Sequence, residues 1–426
     1  MTNIISPVKG TRDFYPEQMA IRSWLYQAVR EVSESYGYQE WEAPILESLN
    51  LYAAKSGDEL VNQQSFVFPD RGGDMITLRP ELTPSLARMV AQRQNELTFP
   101  LRWWSYGPFW RYERPQRGRG REFFQWNIDL IGVDSPEADA ELISIAAAFL
   151  RQVGLSPNEA VILVNDRKLT NARLEALGIP AERRPDFLAL IDRRLKMEPG
   201  NWDRNALDLG MSQDQLDGMK SFLGDPELWK ESETLVRIFK MVEVIGVKDY
   251  IRYDSNIIRG LLYYTSTVFE AFDVTGGVRR AILGGGRYDN LMAQVGGDPL
   301  PAVGFAMGDM VISLMLQTLG RFPANPGRSP ADVLVTAFNA ELQPVSMQLA
   351  AELRSVGLNV VGSTETGKLQ KQFKYADRMG MKVALVVGPD EAVAGKVTIK
   401  NLVDGSQFTL ERAGVVEAIK KILAAQ

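Results

Sequence analysis

Two aromatic-rich segments, 101–113 (LRWWSYGPFWRYE) and 122–132 (EFFQWNIDLIG), flank the loop RPQRGRGR and limit the fold more than any other feature. Aromatic and β-branched residues favour strands, and a Pro/Gly-punctuated loop between two such runs predicts an antiparallel hairpin with a long tip. From Arg102 to Arg121 there are six arginines and one acid, Glu113. A basic loop is ordinarily a solvated surface. Carried on a hairpin with Gly118 and Gly120 at its tip, several guanidiniums can instead be brought into one cleft, where they pair bidentately with phosphate oxygens. A Gly-rich tip can also meet a nucleic-acid backbone. The pattern points to polyphosphate or nucleic acid without naming a reaction.

Around the hairpin, residues 17–36 predict an amphipathic helix, with Ile21, Trp24, Leu25, Ala28, Val29 and Val32 at helical spacing. A strand ending at Pro44 follows. Pro80 and Pro84 bracket a Glu-Leu-Thr turn before another helix, a helix is expected over 139–153 and a buried strand over 160–165. Residues 168–245 change character, with charged helical patterns broken at Pro185, Pro199, Gly200 and Pro226, which predicts an inserted helical module. Strands are expected at 251–272 and 278–284, followed by the tight GGGRYD stretch and an apolar helix at 304–319. The stretch 321–330 (RFPANPGRSP) reads as a linker between a domain over 1–320 and a compact α/β domain over 331–426. In the latter, strands at 332–337, 358–361 and 382–387 alternate with helices at 341–356 and 367–379.

Composition narrows the chemistry. Among 426 residues there is no Cys and no His, so disulfides, thiolate nucleophiles, Cys- or His-ligated metals and imidazole bases are excluded. Any catalysis runs on carboxylates, Arg, Lys, Tyr and backbone dipoles. With 48 Lys and Arg against 53 Asp and Glu, the net charge is −5, which leaves nucleic-acid binding to a local basic patch. No apolar run reaches membrane-spanning length and the start, MTNIISPVKGTRDFYP, lacks a signal-peptide core, so a cytoplasmic protein that does not engage membranes is expected.

Six stretches, in order, resemble the histidyl-tRNA synthetases, a family of class II aminoacyl-tRNA synthetases. They are KGTRDFYP at 9–16, LRPELT at 78–83, RYERPQRGRGREFFQ at 111–125, RGLLYYTSTVFE at 259–270, GGGRYDNL at 284–291 and GFAMG at 304–308. The resemblance covers essentially the whole chain. It implies an α+β catalytic domain with an antiparallel sheet and a helical insertion, followed by an α/β anticodon-binding domain. It also implies ATP-dependent ligation of L-histidine to histidine tRNA through a histidyl-adenylate, with magnesium accompanying ATP, in a homodimer. By similarity, Arg111 and Arg259 are catalytic at the α-phosphate. Glu81, Thr83, Gln125, Asp129, Tyr263 and Tyr264 hold histidine, with Glu81 and Thr83 at its amino group and Asp129 and Tyr264 at its imidazole. Arg111, Glu113, Arg119 and Phe123 hold ATP, and Gln116 and Arg121 meet the tRNA acceptor end. No protein side chains are assigned to a metal.

Each motif also has a plain structural reading. Glu81 can cap the following helix, Gly284–Gly286 can be a simple turn, Arg259 a structural ion pair, and Tyr263 and Tyr264 strand packing. Three positions depart from the family pattern: Leu262 replaces an Asp of the RGLDYYT form, Val311 stands where an Arg covers the adenine, and position 124 is Phe. The alternative reading is a non-catalytic, histidine-binding regulatory paralogue serving histidine biosynthesis, a family that typically lacks the C-terminal domain. In that domain Lys368, Lys371, Lys374 and Arg378 recur at helical spacing, as a solvated face or a tRNA contact.

Overall fold

A computed structural model describes residues 4–53, 64–260, 263–323 and 329–424. Leu262 and part of the 321–330 stretch lie outside the described residues. The chain divides into two compact units, Met1–Asp13 with Ser23–Phe322 and Phe14–Arg22 with Pro323–Gln426.

The strands of the first unit are β1 (Gln39–Glu40), β2 (Leu46–Ser48), β3 (Phe66–Pro69), β4 (Met75–Leu78), β5 (Leu101–Trp110), β6 (Glu122–Ile131), β7 (Ala160–Asp166), β8 (Ile251–Tyr253), β9 (Thr267–Asp273), β10 (Leu283–Arg287) and β11 (Ala302–Gly308). Eight of them form one sheet in the order β1-β5-β6-β11-β10-β9-β7-β8, and β2, β4 and β3 make a small second sheet. Only the edge pairs β1·β5 and β7·β8 are parallel; the six central strands are antiparallel.

The hairpin dominates this sheet. β5 and β6 pair from Leu101↔Ile131 to Trp110↔Glu122. One side packs on the helix Pro136–Gln152, where Trp126 meets Phe149 at 5.2 Å and Phe305 at 4.8 Å. That helix starts cleanly: the Ser135 side chain accepts from the Ala138 N–H, with Pro136 at the first turn. Arg79 of LRPELT is fully buried and locks the hairpin to the preceding loop, donating to the Pro108 and Ala43 carbonyls at 2.9 and 3.0 Å and pairing with Glu42.

Several expectations change. The strand before Pro44 shrinks to Gln39–Glu40. The predicted strand 251–272 is interrupted: β8 ends at Tyr253 and β9 begins at Thr267, and the described residues between them, 254–260 and 263–266, are in neither strand and include Arg259, Tyr263 and Tyr264. Asn165 on β7 holds the first of these segments by donating to the Ser255 and Ile257 carbonyls, both at 3.1 Å. Gly284–Gly286 is no turn but the middle of β10, and GFAMG is β11 with the helix Asp309–Thr318 after it. These strands approach so closely that a β-carbon at Gly285 would sit 2.2 Å from the Gly304 carbonyl. Glycine lets two backbones touch there; it does not break the strand.

Five helices fill Arg167–Ile245: Arg167–Ala176, Arg184–Asp192, Pro199–Asp208, Gln213–Leu223 and Glu233–Ile245. In the second unit, β12 (Val333–Val335), β13 (Val360–Gly362), β14 (Val383–Val386), β15 (Lys396–Asn401) and β16 (Gln407–Glu411) order as β13-β12-β14-β15-β16, parallel over the first three and antiparallel over the last two pairs. Strands β15 and β16 were not anticipated, because their alternation is diluted by Lys, Thr, Asn and Gln. Helices Gln343–Ser355, Leu369–Arg378 and Val415–Ala424 flank this sheet's crossovers and end.

Candidate active site

One face of the large sheet carries a small cavity and a larger one beside it. The small cavity is lined by Glu81, Thr83, Gln125, Asp129, Tyr263 and Tyr264 together with Asn127 and Tyr288. The larger contains Glu113, Arg119, Phe123, Arg279, Arg280 and Val311. Arg111, Gln125, Arg259, Gly284 and Ala306 line both, so the two arginines stand at the junction.

Strand periodicity builds much of this wall. Phe123, Gln125, Asn127 and Asp129 are alternate residues of β6 and share one face. Asn127 was missed in the sequence, although that alternation points to it. Its buried Nδ2 has no hydrogen-bond partner among the described residues. Burial pushes the Asp129 carboxyl up to about 7, and the hydroxyl of Tyr288 donating to Oδ1 offsets this only in part. Tyr288, also missed as a site residue, has its own pKa raised by burial and then by Asp129. The close fit of β11 against this group is built on Gly304, where a β-carbon would lie 2.0 Å from Asp129 Oδ1.

Glu81 does not cap the helix Thr83–Arg93; the capping position is Leu82, with no side-chain bond. Its Oε2 instead accepts from the Tyr263 hydroxyl at 3.4 Å. Burial raises the pKa values of both Tyr263 and Tyr264, so both remain neutral hydrogen-bonding phenols. Thr265 ties their loop to β10, its N–H donating to Arg287 O at 2.8 Å and its hydroxyl to Asp289 at 2.6 Å. Arg287 itself is structural, paired with Asp139 at 2.6 Å beneath the sheet.

Arg259 is the only described non-glycine residue in the left-handed region, with φ 62°. Such a backbone costs on the order of 1–3 kcal/mol and persists only where its surroundings hold it. Glu270 on β9 supplies one hold, an ion pair at 2.6 Å. Gly284 supplies room, since a β-carbon there would lie 1.6 Å from Arg259 Nη1. Burial works against the Arg259 charge, but Tyr264 and Glu270 outweigh it and raise its pKa. Burial lowers that of Arg111, opposed by Glu81 and Glu113. Arg111 also donates to the Pro80 carbonyl at 2.9 Å and lies over the Phe123 ring at 5.2 Å.

The hairpin tip is less uniform than its sequence. Arg119 pairs with Glu113 at 2.5 Å at the larger cavity. Gln116 is exposed and lines neither cavity. Arg121 reaches across to the opposite arm of the hairpin, 4.0 Å over the Tyr112 ring and donating to the Glu113 carbonyl. Phe124 is buried on the face opposite Phe123, and its N–H donates to Asp309 at 2.9 Å. The same carboxylate pairs with Arg12 of KGTRDFYP at 2.7 Å.

A sheet of antiparallel strands with paired cavities and an arginine-lined junction suits several nucleotide-dependent ligases, and comparison with known proteins narrows them. The histidyl-tRNA synthetase family profile matches residues 10–310, and an anticodon-binding domain profile matches 332–422. The chain belongs to the histidyl-tRNA synthetase family. It is 37% identical over 417 residues to the chloroplastic/mitochondrial histidine–tRNA ligase of Arabidopsis thaliana, covering 96% of this chain and 85% of that one. It is 35% identical to the histidine–tRNA ligase of Haloarcula marismortui, over 95% of both chains. Among solved structures, the histidyl-tRNA synthetase of Nostoc sp. PCC 7120 superposes with a TM-score of 0.81 at 27% identity, over 99% of this chain and 100% of that one. Within this class II family, the strands β10 and β11 that read as a turn and a helix are sheet core, and Val311 lies on the wall of the larger cavity.

Proposed function

We propose that the chain activates L-histidine with ATP and transfers the histidyl group to histidine tRNA. The shared lining of the two cavities carries this reading: the junction where the reacting atoms would meet holds two arginines from different segments. In the first half-reaction a histidine carboxylate oxygen attacks the α-phosphorus and pyrophosphate leaves. An α-carboxyl of pKa about 3.3–3.7 is already ionised at neutral pH, so no general base is required. The site's task is alignment and offset of charge growing at phosphorus, which guanidiniums at fixed positions perform. In the second half-reaction a hydroxyl at the 3′ end of the tRNA attacks the histidyl carbonyl and AMP leaves.

In the small cavity, Glu81 and Thr83 receive the α-amino group, Gln125 stands near the carboxylate, and Asp129 with Tyr264 meets the imidazole. An acceptor for a ring N–H separates histidine from apolar side chains of similar size, because an analogue without that N–H leaves the carboxyl unpaired. In the larger cavity Phe123 offers a face to adenine, and Arg119 reaches the outer phosphates. Gln116 and Arg121 are proposed to meet the tRNA acceptor end from the hairpin tip. Among the described residues no cluster of three or more acids can hold a metal. Glu113 and Glu270 are the two carboxylates lining the larger cavity; they are the residues that would hold a magnesium ion arriving with ATP, which would offset phosphate charge there. A homodimer in the cytoplasm belongs to the same reading; among the described residues no helix is long and apolar enough to cross a membrane.

The regulatory alternative is disfavoured by the anticodon-binding profile over 332–422. There Lys368 and Lys371 line a cavity with Tyr375, while Lys374 and Arg378 are exposed outside it. The deciding assay is ATP–pyrophosphate exchange. Exchange that depends on added histidine is the expected result, and its absence in well-folded protein overturns the proposal.

A further inference from the structure

The larger cavity is lined by six cationic side chains against two carboxylates, an excess of positive charge suited to a polyanion. Most of those cations already have a partner. Arg119 pairs with Glu113, Arg259 with Glu270 and Lys196 with Asp192, while Arg111 donates to a carbonyl. Arg279 and Arg280 differ: neither makes a hydrogen bond or ion pair with any described residue, and of the two Arg279 is exposed while Arg280 is half-buried. Burial and the neighbouring Arg119 charge lower its pKa, and Glu113 opposes them. Two guanidiniums held near each other repel unless an anion stands between them.

Position adds to charge. Arg280 enters the cavity from the segment before β10, across from the hairpin that carries Arg119. The loop tip packs on its stem: a β-carbon at Gly118 would lie 4.0 Å from Arg280 Cδ and 3.7 Å from Val311 Cγ2. The helix Asp309–Thr318 therefore presents an apolar side chain, Val311, to this part of the cavity, while Arg280 brings a guanidinium from the sheet side.

We propose that Arg280 is a nucleotide-binding residue that, opposite Arg119, grips the outer phosphates of ATP and the pyrophosphate that leaves. This rests on the reading of the larger cavity as the ATP site. The planar guanidinium can donate to two phosphate oxygens at once, which an ammonium cannot match. Because Arg280 lines only the larger cavity, it has no contact with histidine.

Histidine-dependent ATP–pyrophosphate exchange is measured for the unaltered full chain, Arg280→Ala and Arg280→Lys, with AMP as a competing ligand. In Arg280→Ala the KM values for ATP and for pyrophosphate should each rise roughly tenfold or more, as loss of a charge-assisted contact implies. Arg280→Lys should fall between, and the KM for histidine and the inhibition constant of AMP should stay within about twofold. Unchanged ATP and pyrophosphate KM values overturn the assignment. So does an equal rise for AMP, which would place the side chain at the base or α-phosphate, or an equal rise for histidine, which would mark a structural role. If the unaltered chain neither exchanges nor binds ATP, the reading of the cavity itself fails, and the role of Arg280 with it.

Discussion

Asp129 shows how far a residue's surroundings can move its chemistry. A carboxyl at about 7 sits close to the pH at which free imidazole changes charge. Its folded pKa is raised above the unfolded value, so the stabilisation it gives is full below about pH 4 and is lost as pH rises through about 7. Asp129→Asn keeps the shape and removes the titration. The expected result is a smaller drop in melting temperature between pH 5 and pH 8 than in the unaltered chain. The same variant should raise the KM for histidine on the order of a hundredfold, because an amide replaces the charged acceptor; exchange kinetics at saturating ATP measure it. Asp129, Glu81 and Arg111 were nameable from motifs, whereas Asn127 and Tyr288 emerged only when the strand face and the β10–loop contact were known.

At the element scale, the glycine-rich stretches resist reading in one dimension. A run of three glycines usually makes a turn, yet Gly284, Gly285 and Gly286 run through a fully paired strand between β9 and β11. Their missing side chains create the space into which Arg259 and the Tyr263–Tyr264 loop fit. Gly284→Ala should therefore mimic Arg259→Ala: histidine-dependent exchange falls by at least a hundredfold. Overpacking also costs about 1–3 kcal/mol of stability, measurable by urea unfolding. Exchange within a few-fold of the unaltered chain would show that Arg259 does not need this clearance. The GFAMG strand was misread as the start of a helix for a related reason. A short apolar run has no period of its own, and only its pairing with β6 and β10 decides between strand and helix.

The whole molecule divides into two compact units. A chain ending at Phe322 retains both cavities and should keep histidine-dependent exchange, while transfer to tRNA falls at least tenfold without the second unit. Aminoacylation and exchange assays on the same preparation check this, and loss of both together would count against the division of labour. The Pro/Gly cluster at 321–330 was expected to be the linker; the grouping of Phe14–Arg22 with Pro323–Gln426 in one unit was not expected.

Composition and order along the chain determined a good deal without coordinates. The absence of His and Cys confined the chemistry to arginines, carboxylates and phenols, and six motifs in order pointed to the family. The helix expected over 17–36 and the inserted helices followed from periodicity, and the hairpin from aromatic runs around a Pro/Gly-punctuated loop, all local properties of the chain. What only the tertiary structure decided were the contacts between segments remote in sequence. Those are the ion pair that holds Arg259, the burial that shifts Asp129, the glycine clearances in β10 and β11, and the approach of Arg280 to Arg119. Each depends on which strands become neighbours, and pairing across the sheet is set by the packing of the whole core.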